Sequence, residues 1–350
     1  MACSSLSVIR IKVDGSMMRP LERVLAALAG EWVDRPPICC MTTSVTLDQM
    51  KAVGAYWPEA HTDSKEMALL AYAAHAVVGF ESVRVPFCLT VEAEIMGAKV
   101  DLGRMDRTPM VKGNPFSLGD EIEIPDDVEE LGRAPVTIAS IPLLRKMTMG
   151  DVPIVPLATG PFTIAGHLVG MENLLLGIIL DPDEVHKVLK KAAELGQRYI
   201  SALDAAYPDV ILLSNPSSSS DMISPETHSE FSAPYTMSCL KEVQNAMTVL
   251  HICGNSTMLI DGMVSTGVDG ISIEEKVDPY KAAELVNGRC ALVGNVGVVN
   301  PLLQGSPEDV IKATKEVMEA GFDIVNPGCG LAPRIPLENL RAMVRTVKGF

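Results

Sequence analysis

The order of apolar segments in this chain predicts a closed parallel (β/α)8 barrel, the TIM-barrel member of the α/β class. Three observations carry that prediction. Eight short apolar runs alternate with amphipathic, helix-patterned stretches along most of the 350 residues. The composition is 47% hydrophobic, enough to fill one large core. No G-x-G-x-x-G follows the first apolar run, which removes the usual signature of an open, doubly wound sheet.

The runs are read in order. Residues 1–17 form an N-terminal tail or precede the true start, and a single barrel domain fills 18–350, with a helical pattern opening near Met18. The first strand is "PPICCMT", near 37 to 42; its adjacent Cys39 and Cys40 diverge from each other and read as core. The second is "ESVRVPF", 81–87, with Arg84 at its end, and the charged, loop-rich stretch 88–150 reads as an insertion after it. The third and fourth are "VPIVPLA", 152–158, and "DVILLS", 209–214, with the serine-rich "NPSSSSD", 215–221, behind the latter. A long amphipathic run, "DPDEVHKVLKKAAELGQRYISALDAA", separates them.

The fifth strand, "MTVLHI" at 247–252, ends in His251 and Cys253; the sixth, "GISIE" at 270–274, ends in Glu274. The seventh, "CALVGN" at 290–295, ends in Gly294 and Asn295. A helix opens at Ser306 as N-cap with Pro307 in its first turn, and the eighth strand, "FDIVNPG" at 322–328, delivers Cys329 in a glycine turn.

Composition narrows the function. Twenty-nine basic against 44 acidic residues give a formal charge of −15, which argues against a phosphate backbone or an anionic membrane surface as partner. No apolar run spans a bilayer and no export signal opens the chain, so the eight dispersed cysteines are read as reduced thiols of a cytoplasmic protein.

In such barrels the site lies at the carboxyl ends of the strands. Side chains two apart on a strand share a face, so His251 and Cys253 reach one point. With Cys329 and the Glu274 carboxylate they make a nitrogen and sulfur donor set suited to zinc, and the exchangeable fourth ligand marks a catalytic rather than a structural site. Glu275 competes with Glu274, although strand alternation turns it outward. An H-x-C alone arises by chance, and a lone buried cysteine is core; the reading rests on the combination.

"HICGN" (251–255), "SIEEK" (272–276), "LVGNV" (292–296) and "NPGCGLAP" (326–333) resemble segments of the methylcobamide:coenzyme M methyltransferases, in the uroporphyrinogen decarboxylase superfamily. "YWPEAHTD" (56–63), "TGPFTIAG" (159–166) and "PLENLRAMV" (336–344) extend the likeness to nearly everything after residue 18. The resemblance implies a (β/α)8 barrel with a catalytic zinc on His251, Cys253 and Cys329. Similarity to cobalamin-independent methionine synthase carries a fourth-ligand role to Glu274. It implies coenzyme M as thiol acceptor and a methylcobamide donor, in methylotrophic methanogenesis. The chain has no D-x-H-x-x-G cobalamin-ligand motif, so the corrinoid arrives on a separate corrinoid protein.

Arg84, Asn295 and Arg334 are the candidates for binding substrate or cofactor at the mouth. Asn215 stands where the resemblance leads one to expect Asp, and His61 either lies near the mouth or caps a helix. Three other readings stay open: methyl transfer to homocysteine or another thiol, a metal-free decarboxylase, and a non-catalytic partner of a corrinoid protein.

Overall fold

The computed structural model describes residues 17–349. The expected N-terminal tail, 1–17, lies outside the described residues apart from its last position. Strand β1 is Val83–Val85, and the short β2 (Lys99–Asp101) and β3 (Met110–Lys112) form a separate antiparallel hairpin. β4 (Ile154–Thr159), β5 (Val210–Ser214), β6 (Met247–Ile252), β7 (Gly270–Ile273), β8 (Ala291–Val296) and β9 (Ile324–Pro327) follow. The sheet order is β1-β4-β5-β6-β7-β8-β9, parallel throughout, with helices between successive strands, as a (β/α)8 barrel requires.

The first expected strand takes an irregular form that closes the ring. Ile38 makes a single parallel bridge to Val325 on β9. Cys39 N–H donates to the Val325 carbonyl at 2.9 Å, and Val325 N–H to the Pro37 carbonyl at 3.0 Å. On the other flank the Ile38 carbonyl accepts from Glu81 N–H at 2.7 Å. Beyond these, side chains replace ladder partners: Cys40 N–H donates to Ser82 Oγ (3.0 Å) and Met41 N–H to Asn326 Oδ1 (2.8 Å). Pro36 and Pro37 have no N–H to give a ladder, which shortens the pairing.

Strand alternation sorts the core in two. One set, including Cys39, Met41, Val155, Leu157, Val210, Leu212, Val249, Ala291, Val293 and Ile324, fills the barrel interior. Val24, Ala27 and Leu28 join it from the helix Pro20–Leu28, which plugs the amino-terminal end of the barrel. The alternate residues, such as Cys40, Ile211, Leu213, Leu250 and Ile271, face the surrounding helices. Cys39 and Cys40 therefore diverge into different cores, both fully buried.

The helices start where their sequence directs. The Asp181 side chain caps Pro182–Asp204, and the Ser306 side chain caps Pro307–Glu319 with Pro307 at its first position. The stretch 88–150 proves to be two things. Its first part is an insertion, with a helix Val91–Ile95 and the β2–β3 hairpin; its last, the helix Ala134–Met147, packs on β1 and β4 as a member of the outer ring. Among the described residues no single helix is long and apolar enough to cross a membrane.

Candidate functional site

Because Val249 faces the barrel interior, its alternates His251 and Cys253 do so too, now at the carboxyl end of β6. His251 Nε2 lies 3.1 Å from Cys253 Sγ and 3.9 Å from Cys329 Sγ, and the two sulfurs are 3.3 Å apart. These three donors are within 4.8 Å of one another, and they are the one such cluster of three among the described residues. His251 is buried and the two cysteines are half-buried.

The register of the sheet orients the histidine. Ser272 on β7 stands beside His251, and its Oγ lies 3.0 Å from Nδ1, which leaves Nε2 for the thiols. The thiols share a proton unequally: the hydrogen bond from Cys253 pulls the Cys329 pKa down, with His251 assisting, and the same bond together with burial pushes Cys253 up.

Two glycines make the geometry possible. Gly254 has φ +75°, and a Cβ there would fall 2.4 Å from Asp221 Oδ2 and 2.5 Å from Ser219 Oγ. Its N–H donates to Glu274 Oε2 at 2.6 Å, tying that carboxylate beside Cys253. Gly328 precedes Cys329, and a Cβ there would lie 2.4 Å from Glu275 Oε2.

Neither carboxylate completes the cluster. Glu274 is engaged by Gly254. Glu275 Oε1 accepts from Val298 N–H at 3.1 Å, and its Oε2 is buried without a partner among the described residues. Burial raises the Glu275 pKa, and Glu274 adds to the effect.

The remaining candidates separate. Asn295 is buried and spends its Nδ2 on the carbonyls of Val277 (2.8 Å) and Glu274 (3.3 Å), so it fixes the backbone on which Glu274 sits. Arg84, on the inward face of β1, is 1% exposed and donates from Nη1 to Thr43 Oγ1 at 3.1 Å. Arg334 points away: its side chain is 72% exposed and paired with Asp106 of the insertion at 2.8 Å. Asn215 is wholly used in packing, accepting from Thr163 N–H and Oγ (both 3.0 Å) and donating to Ser232 and Thr236. Asp221, from the serine-rich loop, forms a 2.8 Å ion pair with Lys276 across the mouth. His61 is buried against Trp57 and Phe87, where burial drops its pKa to about 3; its ring caps nothing.

Sequence reading passed over Ser272 and Thr43. Ser272 was within reach, because it lies on β7 two residues before Glu274, which follows the strand directly, so alternation turns both to one side. Thr43 carries no local signal; only the tertiary approach of the Cys329 turn gives it a role.

A family model described as "Uroporphyrinogen decarboxylase (URO-D)" matches residues 19–350. The methylcobamide:CoM methyltransferase MtaA of Methanosarcina barkeri is 38% identical over 325 residues, 92% of this chain and 95% of that protein. A methylated-thiol–coenzyme M methyltransferase of Methanosarcina mazei is 38% identical over 334 residues, 95% of this chain and 90% of that one. Among solved structures, a methyltransferase from Methanosarcina mazei superposes with a TM-score of 0.92 at 38% identity, covering 95% of this chain and 99% of that chain.

Proposed function

The chain belongs to the uroporphyrinogen decarboxylase family, and from that premise we propose that it is a zinc-dependent methyltransferase, moving a methyl group from a methylated corrinoid to the thiol of coenzyme M. The observation that carries the reading is the triangle of one imidazole nitrogen and two thiols, with sides of 3.1, 3.3 and 3.9 Å, at the barrel mouth. Tetrahedral bonds of about 2.0–2.3 Å place neighbouring donors about 3.5 Å apart, so the set fits zinc. When bound there, zinc supplies the Lewis acidity that makes a thiol with a free pKa of about 8.5 a thiolate at neutral pH.

The chain's own groups do the rest. Ser272 holds the His251 ring so that Nε2 faces the thiols. Cys253 and Cys329 bring two negative charges, which offset a dication and leave an added substrate thiolate electron-rich. Glu274, held on the Gly254 amide beside Cys253, is the carboxylate that would supply a fourth, exchangeable ligand to a bound metal. The thiolate sulfur then bonds the methyl carbon as the cobalt–carbon bond breaks, the electron pair staying on cobalt. The corrinoid is carried on a separate protein that docks at the open carboxyl face, and thiols in this state belong in the reducing cytoplasm.

The test is the visible spectrum of methylcobalamin with zinc-loaded protein and coenzyme M, kept anaerobic and dark. Loss of the methyl–cobalt bands with formation of methylated coenzyme M is the expected result. Turnover with homocysteine alone would overturn the acceptor, and no change with either thiol would overturn the enzyme reading. Cys329→Ala is expected to lose zinc and activity together, measured by metal analysis and the same assay.

A further inference from the structure

We propose that the β2–β3 hairpin is a hinged lid over one side of the barrel mouth, held down by the Asp106–Arg334 ion pair and lifted to admit the bulky methyl donor. What passes beneath it rests on the reading of the site as a corrinoid-dependent methyltransferase; the hinge itself does not.

The hairpin is stiff within itself. β2 and β3 pair from Lys99 opposite Lys112 to Asp101 opposite Met110, and at the tip Arg104 and Arg107 exchange backbone hydrogen bonds of 3.0 and 2.9 Å. The Asp101 carboxylate clamps that tip, accepting from Gly103 N–H at 2.9 Å and from Arg107 Nη2 at 2.8 Å. A Cβ at Gly103 would collide with the Arg107 carbonyl oxygen, so the turn has no slack. Its attachment to the barrel is loose by contrast. Gly97 (φ +82°) and Gly113 (φ +73°) flank it, both in the left-handed region that glycine enters freely, and a Cβ on either would meet nothing within 4 Å beyond its own chain neighbours. Two permissive positions in open space, one at each end of a stiff segment, are what a hinge requires.

One bond fastens the free end. Among the described residues, Arg334 Nη2 to Asp106 Oδ2 at 2.8 Å is the single hydrogen bond or ion pair between 99–112 and the rest of the chain. The Arg334 side chain is largely exposed, and ion pairs in that setting are weak and screened by salt, which suits a latch that must release. Beneath the hairpin, Thr108, Met110 and Val111 face Thr43, Phe87 and Cys88 across a cavity of about 370 Å³. That volume lies at the small-molecule end of ligand pockets and is too small for a corrinoid macrocycle. Thr43 stands against the Cys329 turn, where a Cβ at Gly330 would sit 3.1 Å from its side chain, and Arg334 follows the same turn. The lid therefore closes on the segment that carries a thiol ligand, and its latch is tied to that segment. Down, it encloses room for a small thiol; up, it opens that room to the larger donor.

The experiment uses the full, zinc-loaded chain and two readouts. First, Cys88, 5% exposed beneath the lid, reports lifting through its rate of alkylation by iodoacetamide, followed by peptide mass spectrometry. Cys290, half-buried at the amino-terminal end of the barrel, is the internal control. Asp106→Asn and Arg334→Gln are each expected to speed Cys88 alkylation about 2–5-fold and to leave Cys290 unchanged. The double variant is expected to be no faster than either single one, and high salt to speed wild type alone. Equal Cys88 rates in all four proteins overturn the lid, and so does a parallel rise at Cys88 and Cys290, which reports general loosening. Second, kcat/KM for methylcobalamin is expected to rise by the same 2–5-fold in the latch variants, because it scales with the open population. Faster alkylation with an unchanged kcat/KM overturns the lid as a gate for the donor. Faster alkylation with no methyl transfer by any of the four proteins overturns the methyltransferase reading instead, and leaves the hinge.

Discussion

The histidine of the cluster is held by a single serine, and that makes Ser272 a sensitive probe. Removing the partner of a ligating imidazole frees its ring and its tautomer, with losses in metal affinity of about 10–100-fold. Ser272→Ala is therefore expected to keep the fold and to weaken zinc by that factor in a competition titration against a chelator; unchanged affinity would show that the ring is held by packing alone. His251, Cys253 and Cys329 were legible in the sequence because strand alternation and a glycine turn fix where such side chains go. Arg84 and Arg334 looked alike there, two cations near strand ends. Only tertiary contacts separate them, since Asp106, 228 positions from Arg334, draws that arginine to the surface.

At the level of elements, the strand positions followed from apolar runs, and one helix start from the Ser306 cap, because each signal is local. Closure was expected, but its irregular form was not legible, since it depends on side chains of Ser82 and Asn326 finding amides far away in sequence. Nor did the charge-rich stretch after β1 reveal where insertion ends and ring helix begins. The turn after β9 offers a direct check on how tightly the elements are fitted. A Cβ at Gly328 would lie 2.4 Å from the Glu275 carboxylate and 2.9 Å from its backbone nitrogen, and backbone yields less readily than a side-chain tip. Gly328→Ala is expected to cost about 1–3 kcal/mol in chemical denaturation and to weaken zinc by moving Cys329. Unchanged stability and metal content would mean that the turn is looser than its contacts imply.

Across the whole molecule, the Arg23–Asp34–Glu81–Arg35 network and the thiol cluster occupy opposite ends of the barrel. At the plugged end Arg23 is bonded to Asp34 (2.5 Å) and Glu81 (2.7 Å), and Arg35 to Glu81 (2.7 Å). The Arg23 hydrogen bond holds Asp34 down at about pKa 2, against an ordinary 3.8. Burial pushes Glu81 up, but Arg35 and Arg23 outweigh it and leave it below its usual value. Carboxylates depressed in the folded state add stability above their unfolded pKa and lose it as pH falls through the folded one. Stability is thus expected to hold down to about pH 5 and then fall towards pH 2. Asp34→Asn should be less stable at neutral pH by about 1 kcal/mol once solvent screening of this exposed carboxylate is counted, with the gap closing near pH 2. A gap that stays constant with pH would show that Asp34 acts through packing.

The bridge between Ile38 and Val325 also sets a schedule for the growing chain. The segment that seals the barrel leaves the ribosome before its partner strand, with every other strand of the sheet made between them. Until then the sheet is a curled ribbon whose two outer strands display unpaired amides and an uncovered apolar interior, the kind of surface that associates with neighbours or is sheltered by chaperones. Long-range pairing of this kind is slow to form. The seam is therefore the last part of the barrel to be made, and the amides of Cys39 and Val325 are the ones whose protection from hydrogen exchange marks the moment at which the newly made protein is finished.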